Sequence, residues 1–194
     1  MLGMIWGERS GRGSRRRGAA ARRGHRPAIE GLESRIVLST TDTWTGGASN
    51  GLWSSAGNWD SGVPTTGEDL VFPAGKAATL NNDITSLSVG SITFSGSGYR
   101  SYILTGNAMT ITGGITESAQ ALGDAVQNDL TISGAQTIDN AYDLTLSGNL
   151  SRSGLISKSG VGRLWFGGDN SGFSGGISAS AGDIILTSAT GLGT

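Results

Sequence analysis

From about residue 76 onward, the large apolar residues fall into short triplets: Ile92-x-Phe94, Met109-x-Ile111, Leu130-x-Ile132, Leu144-x-Leu146, Leu164-x-Phe166 and Ile184-x-Leu186. This alternation is the period of a strand with one buried face. Gly, Asn, Asp or Ser commonly follows a triplet and supplies a turn. Successive first positions are 17, 21, 14, 20 and 20 residues apart, with no helical pattern between them. A recurrence near 20 residues predicts one solenoid coil per repeat, and about six coils in all. Coils stacked at roughly 4.8 Å place like residues above one another. Continuous inward columns then give a core to a chain that is only 36% apolar. Loops absorb uneven spacing at small entropic cost, and the same unevenness keeps a β-sandwich open as the alternative.

Two segments precede this pattern. Residues 1–40 show no apolar period and are dominated by Arg, Gly and Ala, the composition of a disordered leader. Residues 41–75 hold Trp44, Trp53 and Trp59 among Gly, Asn, Asp and Pro, the residues of tight turns. This segment is expected to cap the open first coil of a body spanning residues 76–194, since an uncapped solenoid exposes strand edges and an apolar end.

Charge sharpens the division. The net charge is −1, but residues 1–38 carry nine Arg and three Glu while residues 39–194 carry five Lys/Arg and twelve Asp/Glu. A basic leader therefore precedes an acidic body that repels phosphate, so no nucleic-acid partner is expected. The chain has 34 Gly, no Cys, and His25 as its one histidine. That removes disulfides, thiol nucleophiles and Cys-ligated zinc, and leaves no histidine in the body for a triad or a multi-His metal site. No run reaches the roughly 18 apolar residues of a membrane helix, and no standard signal peptide is visible.

Three stretches resemble known bacterial surface proteins. Within residues 29–39, Glu30, Leu32, Glu33, Arg35 and Leu38 resemble the LEPR-type N-terminal motif of many large surface proteins, with Ser34 where that family has Pro. The Trp44…Trp53-x5-Trp59 spacing, with Asn58 before the last Trp, resembles an opening module found ahead of β-strand repeats. Residues 154–193 resemble the autotransporter-associated β-strand repeat, also called the passenger-associated transport repeat. The pattern runs Ile156-x-Lys158-x-Gly160-x-Gly162-x-Leu164-x-Phe166-x-Gly168-x-Asn170, then Phe173-x-Gly175-Gly176-Ile177, then Ala181-Gly182-x-Ile184-x-Leu186. Trp165 takes an outward position. The resemblance implies a right-handed parallel β-helix in an exported passenger at the cell surface or outer membrane. In it, Leu164, Phe166, Ile177, Ile184 and Leu186 would point inward, and Asn170 would stack in a polar ladder. It also implies a part of a larger protein, since the pattern is still running at Thr194.

Candidate chemistry is sparse. Asp124 with Asp129, and Asp139 with Asp143, are the carboxylate pairs a polysaccharide lyase or glycosidase would need, but all four sit among turn residues. Asn81-Asn82-Asp83 and Gln127-Asn128-Asp129 are dense in oxygen ligands yet follow no calcium-loop spacing. The glycines follow strands and never open a helix, so no phosphate loop is present. Trp44, Trp53 and Trp59 are either the end cap or a sugar-stacking platform. The expectation is an all-β, right-handed parallel β-helix with a disordered leader. Its role is structural or adhesin-like, with no catalytic residues, metal or cofactor. Glycans or other surface proteins are the candidate partners.

Overall fold

The computed structural model describes residues 40–74, 78–95, 101–118 and 123–192. The basic leader, the motif at residues 29–39, Lys76, Arg100 and Gly193 lie outside the described residues. In chain order the strands are β1 (Thr41–Thr43), β2 (Asp69–Pro73), β3 (Ala78–Asn82), β4 (Ser88–Ser95), β5 (Tyr102–Gly106), β6 (Met109–Glu117), β7 (Asp124–Val126) and β8 (Leu130–Ile132). There follow β9 (Gln136–Asn140), β10 (Leu144–Leu146), β11 (Leu150–Ser151), β12 (Ile156–Ser159), β13 (Arg163–Phe166), β14 (Ile177–Ala179) and β15 (Asp183–Leu186).

Every paired strand runs parallel to its neighbours. One six-stranded sheet stacks β3, β5, β7, β10, β13 and β15 in order. A nine-stranded sheet runs β1-β2-β4-β6-β9-β12-β14, with β8 and β11 branching from β6. Six stacked strands span about five turns. This is the parallel β-helix expected, and it rules out a sandwich, whose neighbours would pair antiparallel.

Register explains the uneven triplets. Ile92, Met109 and Leu130 belong to the nine-stranded sheet, whereas Leu144, Leu164 and Ile184 belong to the six-stranded one. The short step from Leu130 to Leu144 is a change of face and not a short coil. Leu130 has Met109 and Leu150 as its true neighbours in the stack. On the six-stranded side Leu80, Leu104, Val126, Leu146, Phe166 and Leu186 form one column. Its coil step shortens from 24 residues (Ala78 to Tyr102) to 20 (Leu144 to Leu164 to Ile184). Each fully buried side chain of such a column contributes about 1.5–3 kcal/mol.

The β4–β6 register shifts between Val89 and Ser91, and β6 pairs with β8 through Met109–Ile111 and with β9 through Ile115–Glu117. β6 bends at Gly114, whose φ is 100°. A side chain there would collide with the Thr137 carbonyl of the next coil, so the corner needs glycine twice over, for dihedral and for space.

The repeat at residues 154–193 occupies the last coils. Leu164 and Phe166 are buried, Ile177 and Ile184 are partly buried, and Leu186 is 44% exposed. The expectation that Leu186 is core is corrected. It holds the inward register under Phe166, but β15 is an edge strand among the described residues. Asn170 is buried and ties three levels together. Its Oδ1 accepts from Leu150 N at 2.6 Å, and its Nδ2 donates to Gly191 O at 2.9 Å. The side-chain ladder expected of it lies next door, where Asp129 accepts from Asn149 N and Asn149 from Asp169 N, each at 2.8 Å. Gly160 and Gly182 take positive φ, and Gly162, Gly168 and Gly175 press against the carbonyls of Tyr142, Gly148 and Gly154, whereas Gly176 meets only a Leu155 methyl.

Candidate functional site

The Trp-rich segment folds inward onto the first coil. Trp44, Trp53 and Trp59 are 2%, 0% and 4% exposed. Trp59 meets Trp44 edge-on at 5.0 Å and Trp53 edge-on at 5.6 Å. All three rest on Phe72, which stacks on Phe94 of the next coil at 5.6 Å. Buried Asn58 organises the turn between them. Its Nδ2 donates to Asn50 O, Asn50 Oδ1 and Leu52 O, and its Oδ1 accepts from Ala48 N. Trp59 Nε1 donates to Trp53 O at 3.0 Å. Rings this enclosed offer no face to a sugar, so a platform built on Trp44, Trp53 and Trp59 finds no surface here. They are core at the end of the stack.

The candidate acid pairs separate. Asp124 is inward, between Tyr102 and Leu144 in the column, while Asp129 lies in the exposed polar ladder. Burial pushes Asp124 up to about 6, although Tyr102 N–H, donating to its Oδ1 at 2.7 Å, pulls the other way. Asp139 faces outward, and Asp143 is engaged by Arg163 through Nε at 2.9 Å and Nη2 at 2.6 Å. The Arg163 guanidinium also lies 5.6 Å over the outward Trp165 ring. The carboxylates the fold does bring together are Asp42 and Asp60. Burial raises Asp42 to about 6, while a hydrogen bond from Thr43 N–H lowers Asp60. Both serve backbone amides, Ser61 N and Thr43 N. Asn82 and Asp83 are likewise spent within the fold, Asn82 donating to Asn107 O and Asp83 accepting from Ser54 N and Oγ. Among the described residues no cluster of three or more His, Cys, Asp or Glu could hold a metal.

Besides Asp42, the interior holds Glu117 and Lys158, which composition alone does not place there. Lys158, in the column of Ile115 and Ile138, donates to Ser159 O, Gly160 O and Ala181 O at 3.2, 2.9 and 3.0 Å. Glu117 follows Phe72 and Phe94 in its own column. The signal was available: the alternation of Ile115-x-Glu117 and Ile156-x-Lys158 already puts both inward.

The exterior offers a different surface. Ser88, Thr110, Thr131 and Ser151 are register partners across four coils and form an outward hydroxyl row. Thr131 Oγ1 and Ser151 Oγ are 3.3 Å apart. Beside this row lies an open groove of about 450 Å³, floored by Leu87 and Met109 and walled by Thr85, Ser86, Asn107, Thr110 and Thr131. Ser86 takes a φ of 56°, in the left-handed region that non-glycine residues rarely adopt. No lining residue is ionisable, so recognition there rests on hydroxyl and amide hydrogen bonds over a small apolar floor. Among the described residues no helix is long and apolar enough to cross a membrane. No family model, curated protein or solved structure matches the chain.

Proposed function

We propose that this chain is an exported β-helical passenger, displayed at the bacterial surface as a structural, adhesin-like rod. The observation that carries this reading is the coil step of 20 to 21 residues into and through the passenger-type repeat, with Leu144, Leu164 and Ile184 in one register and Ile156 over Ile177 in the other sheet. Solenoids of this kind interact only between neighbouring coils, so folding can nucleate at one place and propagate. That suits a chain that folds as it emerges from a transport channel. Outward rows such as Ser88–Thr110–Thr131–Ser151 repeat one chemistry along the axis and would present it to partners. Protease shaving of intact cells producing the tagged protein, with a cytoplasmic control, tests this. Digestion while the control survives is the expected result. Protection until lysis would overturn surface display.

A second reading is favoured by the groove beside Thr110 and Thr131. Its lining of hydroxyls and one amide, without charge, suits a neutral glycan. The Thr110→Val/Thr131→Val double variant keeps the volume and removes two hydroxyls. It is expected to weaken retention of neutral tetrasaccharides (glucose-, mannose- and N-acetylglucosamine-based) about tenfold, at the usual net worth of a hydrogen bond. Equal retention by the variant and the parent chain, or none by the parent, would remove the groove as a glycan site.

A further inference from the structure

The column that begins with Phe72 and Phe94 continues, coil by coil, into Glu117 and Asn140. Glu117 is 1% and Asn140 0% exposed. Both grip the backbone of Tyr142, one at its N–H and the other at its carbonyl. Glu117 Oε2 accepts from Tyr142 N at 2.7 Å, and Asn140 Nδ2 donates to Tyr142 O at 2.5 Å and to Arg163 O at 3.1 Å. Those two carbonyls fix the amide's orientation, because a flipped amide would set its oxygen against two acceptors. One oxygen on each side chain is left over. Glu117 Oε1 and Asn140 Oδ1 are both buried, and among the described residues neither has a hydrogen-bond partner. Register partners on adjacent parallel strands lie about 5 Å apart. Two unpaired acceptors therefore belong to register partners on adjacent coils, in an interior where a buried polar group is expected to be hydrogen-bonded.

We propose that the Glu117 carboxyl is protonated in the folded solenoid and donates its hydrogen to Asn140 Oδ1, forming a pH-sensitive latch between the coils of β6 and β9. One hydrogen closes the network, since Oε2 keeps Tyr142 N–H while Oε1 satisfies the amide. The neighbourhood favours the neutral acid. β4 contributes Phe94, and β7 contributes Asp124, a second buried acid. β9 contributes Asp139, which faces outward, and the corner after it contributes Tyr142 and Asp143. Arg163 is held by Asp143 and the Lys158 ammonium by three carbonyls. Arg100 lies outside the described residues, and residues 119–122 are Ala-Gln-Ala-Leu, with no titratable side chain. Burial, reinforced by the charges of Asp124 and Asp143 and opposed by the Tyr142 N–H bond, pushes Glu117 up to about 7.

The sign follows from linkage. Between the ordinary 4.5 and the folded value of about 7, the folded chain keeps a proton that the unfolded chain has released. Stability from this group is therefore full below pH 4.5, falls as pH rises, and is gone above pH 7. Asp124 acts in the same direction between 3.8 and about 6. The folding equilibrium constant should drop on the order of 10²-fold between mildly acidic and mildly alkaline solution.

The test is a ¹³C NMR titration of the glutamate side-chain carboxyls in the full chain, with urea unfolding at pH 5 and pH 8. One resonance is expected to titrate near 7, to persist in Glu68→Gln and to vanish in Glu117→Gln. Glu117→Gln, whose Nε2–H takes over the donation to Asn140, should raise the unfolding midpoint at pH 8 and leave it unchanged at pH 5. If every glutamate titrates near 4.5, or if Glu117→Gln destabilises equally at both pH values, the carboxyl is charged and a water or cation occupies the gap, and the latch is overturned. Should Glu117→Gln fail to fold, the titration of the parent chain and of Glu68→Gln decides.

Discussion

Trp53→Ala is expected to lower the unfolding free energy by about 3–5 kcal/mol, the cost of deleting a buried aromatic side chain. With small domains stable by only about 5–15 kcal/mol, that is a large fraction of the total. Trp53 has no exposed surface and contacts the rings of Trp59 and Phe72. Phe72 in turn stacks on Phe94 and meets Tyr102 at a tilt, so the vacancy opens beneath an aromatic cluster that reaches into the next coils. The backbone around Trp53 cannot close the gap easily. Its N–H is bonded to Asn81 O in β3, and its carbonyl accepts from Trp59 Nε1. Urea unfolding followed by far-UV circular dichroism measures the loss without relying on tryptophan fluorescence. A change below about 1 kcal/mol would show that the segment at residues 41–60 is not part of the cooperative core.

Gly162→Val is expected to cost about 3 kcal/mol, at the top of the overpacking range, because the obstacle is backbone. An added Cβ would fall inside the contact distance of the Tyr142 carbonyl, carbon and nitrogen in the adjacent coil. Its φ lies outside the left-handed region, so the penalty is purely steric. Gly134 is the matched control. Its φ is 79°, and nothing stands within 4 Å of where a Cβ would go, so Gly134→Ala costs only the dihedral strain of about 1–2 kcal/mol. Thermal unfolding of the two variants separates close approach from backbone freedom. Equal losses would mean that the coils at residue 162 can part to admit a side chain.

Much of this architecture could be read from residue order. The triplets marked the strands, their 20-residue recurrence marked the later coils, and the glycines at 160, 162 and 182 marked turns and close approaches. The Trp-rich segment could be recognised as distinct and as a cap, but which indole faces meet solvent could not be read, because a capping cluster and an exposed platform use the same three residues. Composition counts the charges of Glu117 and Lys158 without locating them, and neighbouring turn residues make Asp124 look solvated, although the alternation of all three with Ile115, Ile156 and Val126 points inward.

Residue order alone settled that the body is made of short strands with one buried side, since alternation along a strand is a property of backbone geometry. It could not show which strand stacks on which. The 14-residue step between Leu130 and Leu144 is a change of face, and corners of differing length are invisible to a count of triplets. Whether Leu186 is covered, whether Trp53 meets solvent, and whether Glu117 finds a donor all depend on what the neighbouring coil presents. That is decided by pairing between residues 20 or more positions apart, which only the folded chain brings together.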